Sequence, residues 1–222
     1  MKKARIGIFG GTFNPIHSGH LKAAEIVQQK FLLDKVLLIP SYIPPHKESI
    51  DIAAPLHRLK MVELACASYP RFIPSSIEID AQEKSYSIIT LKKIEKLYPK
   101  AWMFFILGID AFLEIKTWKE HEKVLNRCSF IVVSRPGFYL KEAKEVLKGI
   151  YRERMYEFSE SDERGEIEED LFSSYQIFLL SIASLDIASS DIRKKVRKGI
   201  SIGDMVPEAV KVYIKENKLY QS

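Results

Sequence analysis

The chain has 222 residues, 46% of them apolar and 28% charged, the make-up of a globular protein with enough length for a full core. Lys and Arg outnumber Asp and Glu by 34 to 29, a net charge of +5; so mild a surplus suits anionic small molecules and gives no reason to expect nucleic acid. The longest apolar run, residues 101–107, is far too short to span a bilayer, and only four apolar residues follow Lys2, Lys3 and Arg5, so neither a membrane segment nor an export signal is expected. Cys66 and Cys128 lack paired spacing and sit among apolar neighbours, which reads as reduced core thiols and a cytoplasmic setting.

The first predicted strand, residues 5–9, runs into Gly10-Gly11-Thr12-Phe13-Asn14-Pro15-Ile16-His17-Ser18-Gly19-His20, and a helical spacing follows at Leu21, Ala24, Val27 and Phe31. A second strand, 36–39, leads into Pro40-Ser41-Tyr42-Ile43-Pro44-Pro45-His46-Lys47, a loop stiffened by proline with a cation at its end. A helix opening at Pro55 is expected to bury Leu59, Val62, Cys66 and Tyr69. Ser85-Tyr86-Ser87 precedes a helix built on Ile88, Leu91, Ile94 and Leu97, with Ser87 as its N-cap. Strands at 102–107 and 130–133 end on Gly108-Ile109-Asp110 and Ser134-Arg135-Pro136-Gly137. Glu157 to Asp170 holds one basic residue, Arg164, and reads as an exposed helical or loop insertion. After a strand at 177–180, two helical patterns close the chain; Arg193 to Lys198 is a basic cluster, Pro207 fits a first turn, and Val206, Val210 and Tyr213 form a stripe.

The strands are continuous rather than alternating, as in a parallel sheet covered on both faces. Strand–helix alternation then predicts an α/β fold, a Rossmann-like doubly wound parallel sheet with helices on both faces and a C-terminal helical segment. It is read as a single domain, 1–222, with an acidic insertion at about 151–175 and the helical segment at about 189–222. Ligands of such sheets lie beyond the carboxyl ends of the strands, where the glycine string falls.

That string is a phosphate-holding device. Glycines let a ligand approach the main chain, a helix start offers free N–H groups and the positive end of a dipole, and two imidazoles add donors for charge developing at phosphorus. A His-x-x-His pair is also half a metal site, but no Cys, Asp or Glu stands nearby at ligand spacing, so no protein-held metal is expected. No Gly-Lys-Ser/Thr follows the glycines, so the string is not a Walker A loop, and it is not Gly-x-Gly-x-x-Gly.

Gly-Gly-Thr-Phe-Asn-Pro-Ile-His-x-Gly-His resembles the signature of the nicotinate-nucleotide adenylyltransferases, among the nucleotidyltransferases with a His-x-Gly-His motif. The resemblance extends from about residue 5 to the C-terminus. It implies catalytic roles for His17, His20, Lys47 and Arg193. It implies ATP binding by Gly10, Gly11, Thr12, Phe13, Gly108, Asp110, Ser189 and Ser190, and mononucleotide binding by Tyr86, Ser87, Trp118 and Arg135. Two departures stand out: Ser87 where Thr is usual, and Ala188 in Ile187-Ala188-Ser189-Ser190-Asp191-Ile192-Arg193 where the family has Ser.

The activity implied is AMP transfer from ATP to nicotinate mononucleotide, giving nicotinic acid adenine dinucleotide and pyrophosphate in NAD biosynthesis. The nucleophile is a phosphate already ionised, so alignment and neutralisation replace a general base. Mg²⁺ is expected to arrive on the ATP phosphates, keeping several waters. Partners are therefore ATP and nicotinate mononucleotide, with no nucleic acid or membrane, acting on a monomer or homo-oligomer. Phosphopantetheine or nicotinamide mononucleotide as acceptor, or an inactive nucleotide sensor, are the competing readings. Gly-Thr-Phe-Asn-Pro rather than Gly-Ser-Phe-Asp-Pro weighs against phosphopantetheine.

Overall fold

The computed structural model describes residues 3–44, 51–159, 169–174, 176–183 and 185–221. Its strands are β1 (Arg5–Gly11), β2 (Lys35–Pro40), β3 (Phe72–Pro74), β4 (Trp102–Gly108), β5 (Ser129–Val133), β6 (Met155–Ser159) and β7 (Ile177–Ser181). They form a seven-stranded sheet in the order β3-β2-β1-β4-β5-β7-β6. The pairings β1–β4, β4–β5, β5–β7 and β6–β7 are parallel. Helices α1 (Ser18–Lys30), α2 (Pro55–Cys66), α3 (Ser87–Leu97), α4 (Ile109–Leu113), α5 (His121–Leu125), α6 (Leu140–Val146), α7 (Ile150–Glu153), α8 (Glu169–Ser174), α9 (Ser189–Arg197) and α10 (Glu208–Glu216) fill the connections. This is the doubly wound α/β fold that the alternation predicts. Every residue of β5 and the central residues of β4 are buried, so neighbours cover both faces of the sheet there. No helix among the described residues is long and apolar enough to cross a membrane.

The chain packs as two compact units. The first comprises Met1–Phe9, Ala23–Val36 and Tyr86–Ser184. Its core is aromatic: Phe31 lies 5.9 Å from Phe104, 5.4 Å from Phe178 and 5.8 Å from Phe158, ring centre to ring centre. Burying each such ring stabilises the unit by about 1.5–3 kcal/mol. A Cβ at Gly7 would stand 2.8 Å from Leu33 Cδ1, so glycine lets the segment after α1 close onto β1. The buried Arg5 guanidinium donates to the Phe31 carbonyl at 3.2 Å and covers the Phe172 ring.

The second unit comprises Gly10–Lys22, Leu37–Ser85 and Leu185–Ser222. Here α2 packs on β3 and on α10, and His57 Nδ1 meets the Tyr213 hydroxyl at 2.8 Å.

Five local readings need correction. In α2 the buried face is Arg58, Met61, Val62, Ala65 and Cys66, whereas Leu59 and Tyr69 are only half-buried. Ser87 is the first helical residue of α3; Tyr86 holds the cap position and makes no side-chain cap bond. Leu97 leaves the α3 stripe at 65% exposure. Val206 and Val210 are buried as expected, but Ile214 rather than the half-buried Tyr213 completes the stripe, and Pro207 is the cap of α10 rather than part of its first turn. The acidic stretch opens as strand: Glu157, Phe158 and Ser159 belong to β6, at the sheet edge beside β7. Residues 160–168 of that stretch lie outside the described residues.

Candidate active site

His17 stands just before α1, and its carbonyl accepts the N–H groups of His20 at 3.0 Å and Leu21 at 3.2 Å, as an N-cap residue's does. The two imidazoles cap reciprocally. His17 N–H donates to His20 Nδ1 at 3.3 Å, and His20 N–H donates to His17 Nδ1 at 3.4 Å. With both Nδ1 atoms accepting, each neutral ring carries its proton on Nε2, an atom that is buried in His17. The rings stack at 3.6 Å between centres, 27° from parallel. His17 is 3% exposed; His20 is half-buried, with the Phe13 ring edge against it at 5.1 Å. Gly19 follows from this packing, since its Cβ would lie 3.1 Å from His17 Nδ1. At Gly11 a Cβ would fall 3.1 Å from the Phe13 ring, which would have to give by a few tenths of an ångström, whereas a Cβ at Gly10 would meet nothing within 4 Å among the described residues.

The turn before the histidines is braced through its carbonyls. Arg58, 1% exposed, donates Nη1 to the Thr12 carbonyl at 2.9 Å, Nε to Ala53 at 2.8 Å and Nη2 to Tyr42 at 3.0 Å. Burial lowers its pKa from the ordinary arginine value, against the pull of Tyr220 and Glu78. Arg193 Nη1 donates to the Asn14 carbonyl at 3.0 Å, and Ser189 Oγ to the Pro15 carbonyl at 2.9 Å. In a trans peptide the C=O and the next N–H point oppositely. Fixing the Thr12 carbonyl on Arg58 therefore turns the Phe13 N–H away from it. The Asn14–Pro15 bond is cis, and the Asn14 side chain donates to the Asp51 carbonyl at 2.7 Å while accepting from Ala53 N–H at 3.0 Å.

The second unit thus brings together Gly10, Gly11, Thr12, Phe13, His17, His20, Ser189 and Arg193. Ser189 and Arg193 each spend a donor on the turn itself. Among the described residues the buried Arg193 Nε has no partner, and its Nη2 lies 4.0 Å from Asp51. Ser190 is exposed in the first turn of α9, whose cap position, Ala188, has no side-chain bond to give. Lys47 and His46 lie outside the described residues.

The first unit holds the other expected residues. Gly108 ends β4 and caps α4, and a Cβ there would collide with Asp110 Oδ1. Asp110 Oδ2 is ion-paired with Arg135 Nη1, a partnership that sequence spacing does not show. Trp118 follows a 3₁₀ turn at Ile115–Thr117 and sets its ring edge-on to Phe105 at 5.7 Å. Tyr86 lies under the Lys119 ammonium at 4.6 Å, and Ser87 opens α3 beside it.

Sequence reasoning passes over Arg58, although positions 58, 61, 62, 65 and 66 form a regular i, i+3, i+4 stripe with an arginine inside it. It also passes over Tyr220, whose hydroxyl reaches Asn14 at 2.9 Å from 206 residues away. Both thiols are buried, and burial pushes the Cys66 pKa to about 12, which leaves it inert. Among the described residues no three of His, Cys, Asp and Glu assemble as a metal-ligand set.

A model of the cytidylyltransferase-like family matches residues 8–195. A protein of Desulfitobacterium hafniense strain Y51, named a probable nicotinate-nucleotide adenylyltransferase, is 40% identical over 98% of this chain and 96% of its own length. Another of that name from Geotalea uraniireducens strain Rf4 is 41% identical over 97% of this chain and 98% of its own. Among solved structures, Plasmodium falciparum nicotinic acid mononucleotide adenylyltransferase complexed with NaAD superposes with a TM-score of 0.71 at 20% identity, covering 98% of this chain and 97% of that one; that likeness speaks for the fold. With near-complete coverage at about two residues in five, and a family model spanning most of the chain, the protein belongs to the cytidylyltransferase-like family and, within it, to the nicotinate-nucleotide adenylyltransferases.

Proposed function

We propose that the protein transfers AMP from ATP to nicotinate mononucleotide, forming nicotinic acid adenine dinucleotide and pyrophosphate. An oxygen of the mononucleotide phosphate bonds to the α-phosphorus, the bond to the β-phosphate bridging oxygen breaks, and its electron pair leaves with pyrophosphate. No proton need be abstracted, so the protein's task is alignment and electrostatic support. The observation that carries this reading is the reciprocally capped imidazole pair at the start of α1. Two Nε2–H donors on a fixed turn suit oxygens that gain charge at the transition state.

The remaining roles are those the family resemblance implies, and the chemistry of each residue suits them. Arg193 and Lys47 neutralise phosphate charge, with Ser189, Ser190 and the N-terminus of α9 as further donors. At Gly10 no atom of the described residues stands within 4 Å of an added Cβ, so ligand approach is the reason we assign for that glycine, alongside Gly11, Thr12 and Phe13. Gly108 and Asp110 take the adenosine ribose, Arg135 keeping the carboxylate in place. Tyr86, Ser87 and Trp118 take the nicotinate end, the indole as a stacking plane worth about 0.5–1.5 kcal/mol beyond area burial. Mg²⁺ enters with ATP as part of that substrate. The cytoplasm is the compartment this reading implies.

The experiment is pyrophosphate release with ATP and three acceptors in parallel: nicotinate mononucleotide, nicotinamide mononucleotide and phosphopantetheine. The reading expects kcat/KM highest with nicotinate mononucleotide. Preference for either rival acceptor, or release with none, defeats it.

A further inference from the structure

The residues after α10 end on a contact that the roles above leave unused. Lys218 N–H donates to the Lys215 carbonyl at 3.2 Å and Leu219 N–H to the Ile214 carbonyl at 3.0 Å, the paired bonds of a Schellman close. The chain turns there with Lys218 at φ +52°, and Tyr220 has φ +62°. Glycine adopts that region freely; a lysine and a tyrosine pay a steric cost for it. The turn delivers the Tyr220 hydroxyl to Asn14, where it donates to Oδ1 at 2.9 Å. That oxygen also accepts from Ala53 N–H at 3.0 Å, while Nδ2 donates to the Asp51 carbonyl at 2.7 Å. Two donors on the oxygen and an acceptor on the nitrogen settle which way the amide faces. The main chain of the same residue is held by Arg193, and His17 follows three residues on.

We infer that Tyr220 is a positioning residue for adenylyl transfer: its hydroxyl locks the Asn14 side chain and, through it, the turn that seats His17 and His20. The inference rests on the function proposed above. Burial raises the phenol's pKa well above the usual tyrosine value, against the opposing pull of Arg193 and Arg58, so the donor persists through ordinary pH.

Tyr220→Phe in the full chain removes the hydroxyl and little else. We expect kcat to fall about tenfold, the scale of one buried hydrogen bond, with the KM for nicotinate mononucleotide within about twofold. In an Asn14→Ala background the same substitution should cause no further loss, because its route is already cut. A lower thermal midpoint with unchanged kcat, measured where the variant is folded, reduces Tyr220 to a structural contact and overturns the inference. Full multiplication of the two losses overturns it too. Should Asn14→Ala not fold, the single variant decides. If the native chain shows no turnover, the functional reading fails by itself, and calorimetry with ATP alone judges the inference: ATP affinity about threefold weaker or worse in Tyr220→Phe supports it, equal affinity ends it.

Discussion

Replacing Arg58 by methionine is the most searching perturbation of the framework around the histidines. The guanidinium donates to three carbonyls, on Ala53, Thr12 and Tyr42, at 2.8–3.0 Å. Hydrogen bonds from a charged donor contribute about 1.5–3 kcal/mol each, so the gross loss is about 4.5–9 kcal/mol. Methionine fills much of the volume and removes a buried charge, which returns part of the desolvation cost. The net destabilisation should be about 3–5 kcal/mol, or about 6–20 °C in melting temperature for a chain of this size. Arg58→Lys keeps the charge but cannot reach three acceptors in a fork, so it should lose most of the same stability. Urea unfolding followed by circular dichroism measures both. At a temperature where the methionine variant is still folded, turnover should also fall, because the Thr12 carbonyl is released next to Phe13. Destabilisation below about 1 kcal/mol with native turnover would refute the bracing role.

Gly19→Ala places a methyl 3.1 Å from His17 Nδ1 and must shift the stacked rings; turnover should drop about tenfold or more while the melting temperature moves only a few degrees, about the cost of mild overpacking. Native turnover in that variant would show that the ring stack is not needed. Stability should decline in alkali. Burial holds the folded Cys66 pKa at about 12, so the unfolded chain gives up its thiol proton first, from about pH 8.5. Stability is therefore whole below that pH and falls by about 1.4 kcal/mol per pH unit for each such thiol as pH rises through the window. Cys128, raised by the same cause, adds to the slope. Urea midpoints at pH 7, 8.5 and 10, compared with Cys66→Ser, test this: the variant should show the shallower decline, and equal slopes would contradict it.

The sequence is most legible where function and local structure coincide. Residues 5–31 predict a strand, a glycine turn and a helix, and the central strands are legible as buried strands from their unbroken apolar runs. Two strands escape notice for physical reasons. β3 is three residues long and ends in proline, too short for a period to register. In β6 the residues Tyr156 and Phe158 alternate with Met155, Glu157 and Ser159, an edge-strand pattern that the acidic stretch after it hides. The α2 stripe is misplaced because a helical face is sought among apolar residues alone, and Arg58 is not apolar. In the site, residues expected to bind phosphate prove to hold the main chain as well. Ser189 and Arg193 hold Pro15 and Asn14, contacts made across more than 170 residues that no local pattern encodes. The pairing of Asp110 with Arg135, 25 residues apart, is likewise invisible to any local pattern.

The central claim is that the two capped imidazoles support charge as AMP moves. Single-turnover formation of nicotinic acid adenine dinucleotide by His17→Ala and His20→Ala, with both substrates saturating, tests it most directly. The rate of the chemical step should fall on the order of 10²–10³ in each variant, with the melting temperature close to native. A folded His20→Ala that forms product at the native rate would contradict the account.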